Sequence, residues 1–379
     1  MKSIRARIAA ELREIEEKGL RRSVSAPAGL DFSSNDYLGL ANSEELNSAL
    51  MKGIGELGVG STGSRLLRGH REVFSNVERE FAEWKGAEAS LYFATGYQAN
   101  VGMLQTFLRE GDEVFSDELN HASIIDGVRI GRAAKHVYTH ADQRALDDAL
   151  SAANNTGEKF VVTESLFSMD GDMAPLREIA DVCTKHGANL IVDEAHAVGI
   201  YGPTGSGLIS EYGIEEATFL SVNTAGKALG VSGAFVSADK AAIELLVNRC
   251  RSFIFSTAPI PATALCISRA IGILCNDDAR RNDLRQKCAS FAASLSEHGI
   301  PAPESPTHIV PVIIGDSEIA VRVAKSMQAR GFDVRAIRPP TVPEGTSRLR
   351  VSLNTKLSQQ NLREFVMALS EVMQLEDLL

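Results

Sequence analysis

Cysteine is scarce in this sequence: five residues in 379, at Cys183, Cys250, Cys266, Cys275 and Cys288. The number is odd and no two stand in CxxC spacing, which argues against a disulfide framework and against a cysteine-built zinc site. Reduced thiols in a cytosolic protein fit better, and no metal is expected. Long apolar runs are missing too, with nothing near the ~20 residues of a membrane span. The opening MKSIRARIAAELREIEEKGL scatters its charges and has no apolar stretch behind them, so it does not read as a secretory signal. Basic charge is in deficit, Lys+Arg 39 against Asp+Glu 49 for a net −10, so an overall nucleic-acid footprint is absent. No repeat or low-complexity tract occurs. Asp193-Glu194-Ala195-His196 spells a helicase-type box, but no GxxxxGK(S/T) loop accompanies it, and a P-loop enzyme is poorly supported.

What is present is globular: 44% hydrophobic and 23% charged residues, in a length that allows two or three domains, or one large one with an appendage. Ile4, Ile8, Leu12 and Ile15 recur at helical spacing with Gly19 as a stop, which predicts an amphipathic helix packed on the body. Phe160 to Glu164 is a short β-branched run. Pro175 opens a helical stretch with Leu176, Ile179, Ala180 and Cys183 on one face. Gly187 ends it, and Asn189 to Asp193 is the next strand. This strand–helix–strand unit predicts an α/β protein with a mostly parallel sheet between helices. Further strands are expected at Glu113 to Ser116, Ala134 to Tyr138, Thr218 to Val222 and Gly233 to Ser237. Beyond about residue 275 the texture changes to a smaller α/β region. There, strands are expected near Ile309 to Ile314, Phe332 to Ile337 and Ser347 to Leu353, and a last helix from Ser358. The expected organisation is an N-terminal helix and extended segment (1–45), a large domain (46–274) and a small C-terminal domain (275–379).

Ligands of open α/β sheets bind at the carboxyl ends of the strands. Asp193 and His196 stand at one such end. Lys227, among small residues in Asn223 to Gly230, comes after the next strand and is a candidate imine-forming amine. Gly96, before a helical start in Phe93 to Asn100, suits a phosphate held by helix N–H groups, with Tyr97 beside it. His121 comes after another strand and could stack on a flat ligand. Each piece alone is weak. Together they offer a phosphate cradle, a stacking ring, a carboxylate for a pyridinium nitrogen and a lysine for an aldehyde. That set describes pyridoxal 5′-phosphate (PLP).

The chain resembles the α-oxoamine synthases, PLP enzymes of fold type I, nearly from end to end. The resemblance rests on Phe32 to Leu40, Gly60 to Arg65, Asn120 to Ser123, Thr163 to Asp172, Asp193 to His196, Gly226-Lys227, Phe255 to Thr257 and Ile337 to Pro343. Thr62 stands where many members have a second glycine, and Ala197-Val198 replaces a small or hydroxylated pair. The resemblance implies that Lys227 holds PLP and later moves the α-proton. It implies that Asp193 pairs with the pyridine nitrogen and that His121 stacks on the ring. His196 and Ser168 would contact the phenolic oxygen, and Gly96, Tyr97 and Thr224 would hold the phosphate. Thr257 would reach the phosphate of the other subunit of a homodimer. Arg350 would bind the amino-acid carboxylate with Asn35 and His121 nearby, and Arg338 is the second choice.

The implied activity is decarboxylative condensation of an amino acid with an acyl thioester. The stretch Ile337 to Pro343 and the compact length favour the biotin-pathway member, which joins L-alanine to a pimeloyl thioester of CoA or acyl carrier protein. A glycine-using relative (glycine C-acetyltransferase or 5-aminolevulinate synthase), an aminotransferase on the same fold and a non-catalytic partner subunit stay open. The presence of Lys227 with Asp193 and His121 argues against the last.

Overall fold

The computed structural model describes residues 3–153 and 157–379. Two compact units make up the chain. The larger comprises Leu38–Ser168 and Asp172–Asn282; the smaller gathers the described residues up to Tyr37 with Met169–Gly171 and Asp283–Leu379.

The larger unit is built on a seven-stranded sheet. Its strand order is Ala89–Phe93, Ala234–Ala238, Thr218–Thr224, Asn189–Asp193, Lys159–Glu164, Glu113–Asp117 and Ala134–Tyr138. Neighbours run parallel except that Ala234–Ala238 is antiparallel to both of its partners. The expected mostly parallel sheet is therefore present, with one strand reversed. Apolar runs such as Phe160-Val161-Val162 and Leu190-Ile191-Val192 are buried throughout, as strands covered on both faces must be. The helix Leu176–His186 buries Leu176, Ile179, Ala180 and Cys183 and stops at Gly187, whose φ of 60° is left-handed. On the face bearing Tyr92 and Phe235, these two rings stack at 4.9 Å and Phe235 stacks on Phe81 at 4.0 Å.

Two features fix the carboxyl edge of this sheet. Strands ending at Phe93, Glu164, Asp193 and Thr224 all deliver their last residues there, and the helix Gly96–Phe107 starts there. Behind it, Lys85 and Glu194 form an ion pair with side chains 2% and 0% exposed. Lys85 also donates to the Ser206 carbonyl, and Glu194 accepts the Ile209 N–H at 2.9 Å. This pair anchors the segment that leaves Asp193.

The smaller unit has a three-stranded antiparallel sheet, ordered Arg335–Ile337, Ser347–Ser352, Ile309–Gly315. The run expected as one strand from Phe332 to Ile337 is split at Val334. Phe332–Asp333 pairs instead with Leu30–Asp31, in parallel. Phe32 stacks on Phe365 at 4.2 Å, and Phe332 meets Phe365 edge-on, so the core of this unit joins segments far apart in sequence. The N-terminal helix forms as expected, over Ile4–Glu17, with the Ser3 hydroxyl accepting the Ala6 N–H. The expectation that it packs on the body is not met: no residue of it is buried, and Ile4 is 57% exposed. The apolar stripe exists, but in the single chain it faces solvent.

Among the described residues no helix is long and apolar enough to cross a membrane, and no cluster of metal-ligating side chains occurs.

Candidate active site

The strand Asn189–Asp193 places Asp193 at the sheet edge, 6% exposed. Its carboxylate is held from two sides. Oδ1 accepts the Ala195 N–H at 2.8 Å, and Oδ2 accepts the Asn100 amide at 2.7 Å. Lys227 lies in the tight turn after the adjacent strand, closed by Gly230 N–H to the Lys227 carbonyl and Val231 N–H to the Ala225 carbonyl. The Lys227 amine is half-buried, with Nζ 2.8 Å from Nε2 of the buried His196.

His121 caps the helix Ala122–Ile130. Its Nδ1 accepts the Ser123 N–H at 3.2 Å and lies 2.7 Å from the Ser123 hydroxyl. A backbone N–H can only donate, so the proton of the neutral ring sits on Nε2. Loss of water around the ring lowers its pKa; the Asp193 charge opposes that shift and the Lys227 charge adds to it. The shift favours the neutral imidazole, and the residue stays open to solvent, as a stacking platform requires.

The phosphate cradle is equally local. Thr95 caps the helix Gly96–Phe107, accepting the Gln98 N–H, and helical bonding begins at Ala99. The N–H groups of Gly96 and Tyr97 point at the helix mouth, where the dipole favours an anion. Gly96 leaves little room: a Cβ there would stand 2.7 Å from Cγ2 of Thr224, so the threonine methyl would have to shift. That close approach is made by the Thr224 methyl, while the Thr224 hydroxyl donates to the Ala195 carbonyl at 3.3 Å. The Tyr97 ring is exposed, and its hydroxyl donates to Asp126.

The remaining expected residues are more scattered. Ser168 is half-buried in the loop that leaves the strand Lys159–Glu164. Thr257 is exposed and forms an isolated bridge with Ser64, beside an Ala258 N–H to Gly63 carbonyl bond. Thr62, in the glycine position of that loop, takes a left-handed φ of 61°. In the smaller unit, Arg350 is buried and brings Asn35 with it. Its guanidinium donates to Asn35 Oδ1 at 3.1 Å, to the Tyr37 hydroxyl at 3.3 Å and to Ser352 Oγ at 2.7 Å. Arg338 does not join this group. It donates to the carbonyls of Gly19 and Arg21.

Three residues of the site were not expected from the sequence. Asn100 and Ser123 link Asp193 to His121, and Glu164 lies in register beside Asp193 on the neighbouring strand. Glu164 is fully buried and accepts the His121 N–H at 2.6 Å. Burial, reinforced by the Asp193 charge, raises its pKa well above the ordinary carboxylate range. Its position at the end of an apolar strand was the available signal.

The class I and II aminotransferase family matches residues 27–369 of the sequence. The chain belongs to that family. Within it, the chain is 42% identical over 380 residues to the 8-amino-7-oxononanoate synthase of Anaeromyxobacter dehalogenans, covering 97% of this chain and 95% of the relative. The enzyme of the same name from Paraburkholderia xenovorans is 42% identical over 374 residues, with 94% and 95% covered. Among solved structures, serine palmitoyltransferase from S. paucimobilis with bound PLP-myriocin superposes with a TM-score of 0.93 at 27% identity over all of both chains. The 8-amino-7-oxononanoate synthase of Francisella tularensis does so at 0.80 and 26% identity, over 92% of this chain and 99% of that one. The fold is fold type I, and the chain is a PLP-dependent acyltransferase. The residues fit the cofactor: a primary amine, a doubly held carboxylate, an open imidazole and a helix mouth kept clear by the lack of a side chain at Gly96.

Proposed function

We propose that this member of the family joins L-alanine to a pimeloyl thioester, releasing CO2 and the thiol and leaving 8-amino-7-oxononanoate, a step of biotin synthesis. The observation that carries the reading is the 42% identity to 8-amino-7-oxononanoate synthases over nearly the whole chain.

When bound, PLP supplies an electron sink for negative charge at the amino-acid Cα. The chain's own groups do the rest. Lys227 Nζ anchors the cofactor and then removes and returns the Cα proton as a general base and acid. Asp193, fixed by Asn100 and the Ala195 N–H, holds a proton on the ring nitrogen. His121 would supply a flat face for the ring and keep water from it. His196 and Ser168 serve the phenolic oxygen, and the Gly96 and Tyr97 N–H groups with the Thr224 hydroxyl serve the phosphate. Arg350 supplies the cation for the amino-acid carboxylate, pre-oriented by Asn35, Tyr37 and Ser352. Arg338 is the less favoured anchor, since backbone carbonyls already engage it.

The functional form in this reading is a homodimer in which Thr257 serves the partner's phosphate. Exposed apolar side chains near Thr257 support it: Phe255 is 72% exposed and Leu67 82%. The five thiols, none in a disulfide, suit a reducing cytoplasm.

The test is mass spectrometry of products from three incubations of the PLP-loaded protein: L-alanine with pimeloyl-CoA, glycine with acetyl-CoA, and L-serine with palmitoyl-CoA. The expected result is an 8-amino-7-oxononanoate peak in the first alone. Product only from glycine or serine would overturn the substrate assignment and leave the acyltransferase.

A further inference from the structure

We propose that Asn100 and Ser123 are positioning residues that lock the Asp193 carboxylate and the His121 imidazole into one rigid frame. This rests on the reading of the site as a PLP site. Both residues are all but excluded from solvent, at 2% and 1% exposure. Their side chains bond to Asp193, to His121 and to each other, so the role the geometry gives them runs through those two residues.

The direction of every bond in the frame is fixed by chemistry. The Asn100 amide nitrogen has two protons and two acceptors, Asp193 Oδ2 at 2.7 Å and Ser123 Oγ at 3.0 Å. Ser123 Oγ accepts from Asn100, so its own proton is directed at His121 Nδ1, 2.7 Å away. The Ser123 N–H reaches the same nitrogen. A continuous chain of donors thus runs from carboxylate to imidazole, and it adds a second donor to the Nδ1 that the Ser123 N–H already makes an acceptor. A neutral amide holds Asp193 without cancelling its charge, which a lysine or arginine in that place would do.

The frame is also referenced to the phosphate cradle. Asn100 lies one turn inside the helix that begins at Gly96. The same rigid element therefore carries the anion site and the brace of the carboxylate. A flat ligand with a phosphate at one end and a basic ring nitrogen at the other would meet both at a set spacing.

Three variants test this: Asn100→Leu, Ser123→Ala and Ser123→Thr. The readouts are the PLP dissociation constant and the pH midpoint of the visible absorption of bound PLP, with circular dichroism to follow the fold. The titratable groups around that midpoint are Lys227, His196, His121, Asp193, Glu164 and Asp117. A lost hydrogen bond to a charged group predicts that Asn100→Leu weakens PLP binding about ten- to hundredfold and moves the midpoint. Ser123→Ala, too small a change to unfold the chain, should keep PLP affinity within about tenfold, as for a neutral hydrogen bond, yet still move the midpoint. Ser123→Thr should restore it. Wild-type values of both readouts in Ser123→Ala and Asn100→Leu would overturn the proposal alone. A wild-type chain that takes up no PLP would overturn the cofactor reading and this proposal with it.

Discussion

Replacing Lys85 with methionine should destabilise the larger unit by about 3–5 kcal/mol, the usual cost of leaving one buried charge without its partner. The structure puts this site at the severe end. Lys85 and Glu194 side chains are 2% and 0% exposed, so water cannot replace the lost ammonium. Glu194 would keep only the Ile209 N–H, and the Ser206 carbonyl would lose its donor. Removing both charges is a different experiment. In Lys85→Met with Glu194→Gln, the amide still accepts from Ile209 and no charge is stranded, so most of the loss should return. Urea unfolding tracked by tryptophan fluorescence is the assay. Trp84 is the sole tryptophan and adjoins Lys85, with its indole N–H donating to the Thr204 carbonyl at 3.2 Å. Glu194 comes directly after Asp193, so PLP retention should fall in the single variant and recover in the double. A Lys85→Met protein within about 1 kcal/mol of wild type, or a double variant no better than the single, would refute the reasoning.

The same geometry sets other outcomes. Lys227→Ala should abolish turnover and leave no lysine at the site for borohydride to trap with PLP; normal activity would remove Lys227 from the chemistry. Arg350→Ala should raise the KM for the amino acid about ten- to hundredfold, the worth of a charge-assisted hydrogen bond, with far less effect on the thioester. Equal effects on both substrates would point to another anchor. Thr62→Gly should stabilise the fold by up to about 1 kcal/mol, because a β-branched residue at a φ of 61° is strained; a loss in urea midpoint would show that the threonine side chain has contacts that outweigh the strain. His140 is pushed down by burial but raised further by its bonds to Asp117 and Asp172, to about 10. Its folded value lies above the unfolded one, so its stabilisation is full below about pH 6.5 and is lost as pH rises through 10. The gap in melting temperature between wild type and His140→Gln should be widest near pH 6 and close towards pH 10; a gap that grows with pH would contradict the assignment.

The parts of this site that the sequence makes legible are those announced by strand chemistry. Phe160 to Val162 and Leu190 to Val192 are apolar at every position, so they had to be strands covered on both faces, and the residues just past the ends of such parallel strands gather at one edge of the sheet. Lys227, Asp193 and Gly96 were legible for that reason. The reversal of Ala234–Ala238 was also encoded, though by length rather than residue type. Residues 225–233 are too few for a parallel crossover, so the strand must return antiparallel. The N-terminal stripe of Ile4, Ile8, Leu12 and Ile15 shows the opposite limit. Periodicity identifies the face of a helix that is apolar, but it does not say what covers that face.

Asn100 and Ser123 mark a deeper limit. A polar residue inside a helical stretch has the same local signature whether it points at solvent or braces a carboxylate. Asn100 meets Asp193 across 93 positions of sequence, and Ser123 meets Asn100 across 23. No spacing rule connects such residues, because their proximity is a product of sheet order: the helix Gly96–Phe107 enters from one strand, His121 from another and Asp193 from a third. Lys227 stands out in the sequence only beside Asp193 at the same expected sheet edge, and the groups that brace Asp193 and His121 exist as a set only once the strands have been ordered. For that reason Ser123→Ala is an informative substitution. It removes a single hydroxyl, leaves the Ser123 backbone N–H on His121 Nδ1, and changes only the link that the fold, and not the local sequence, creates.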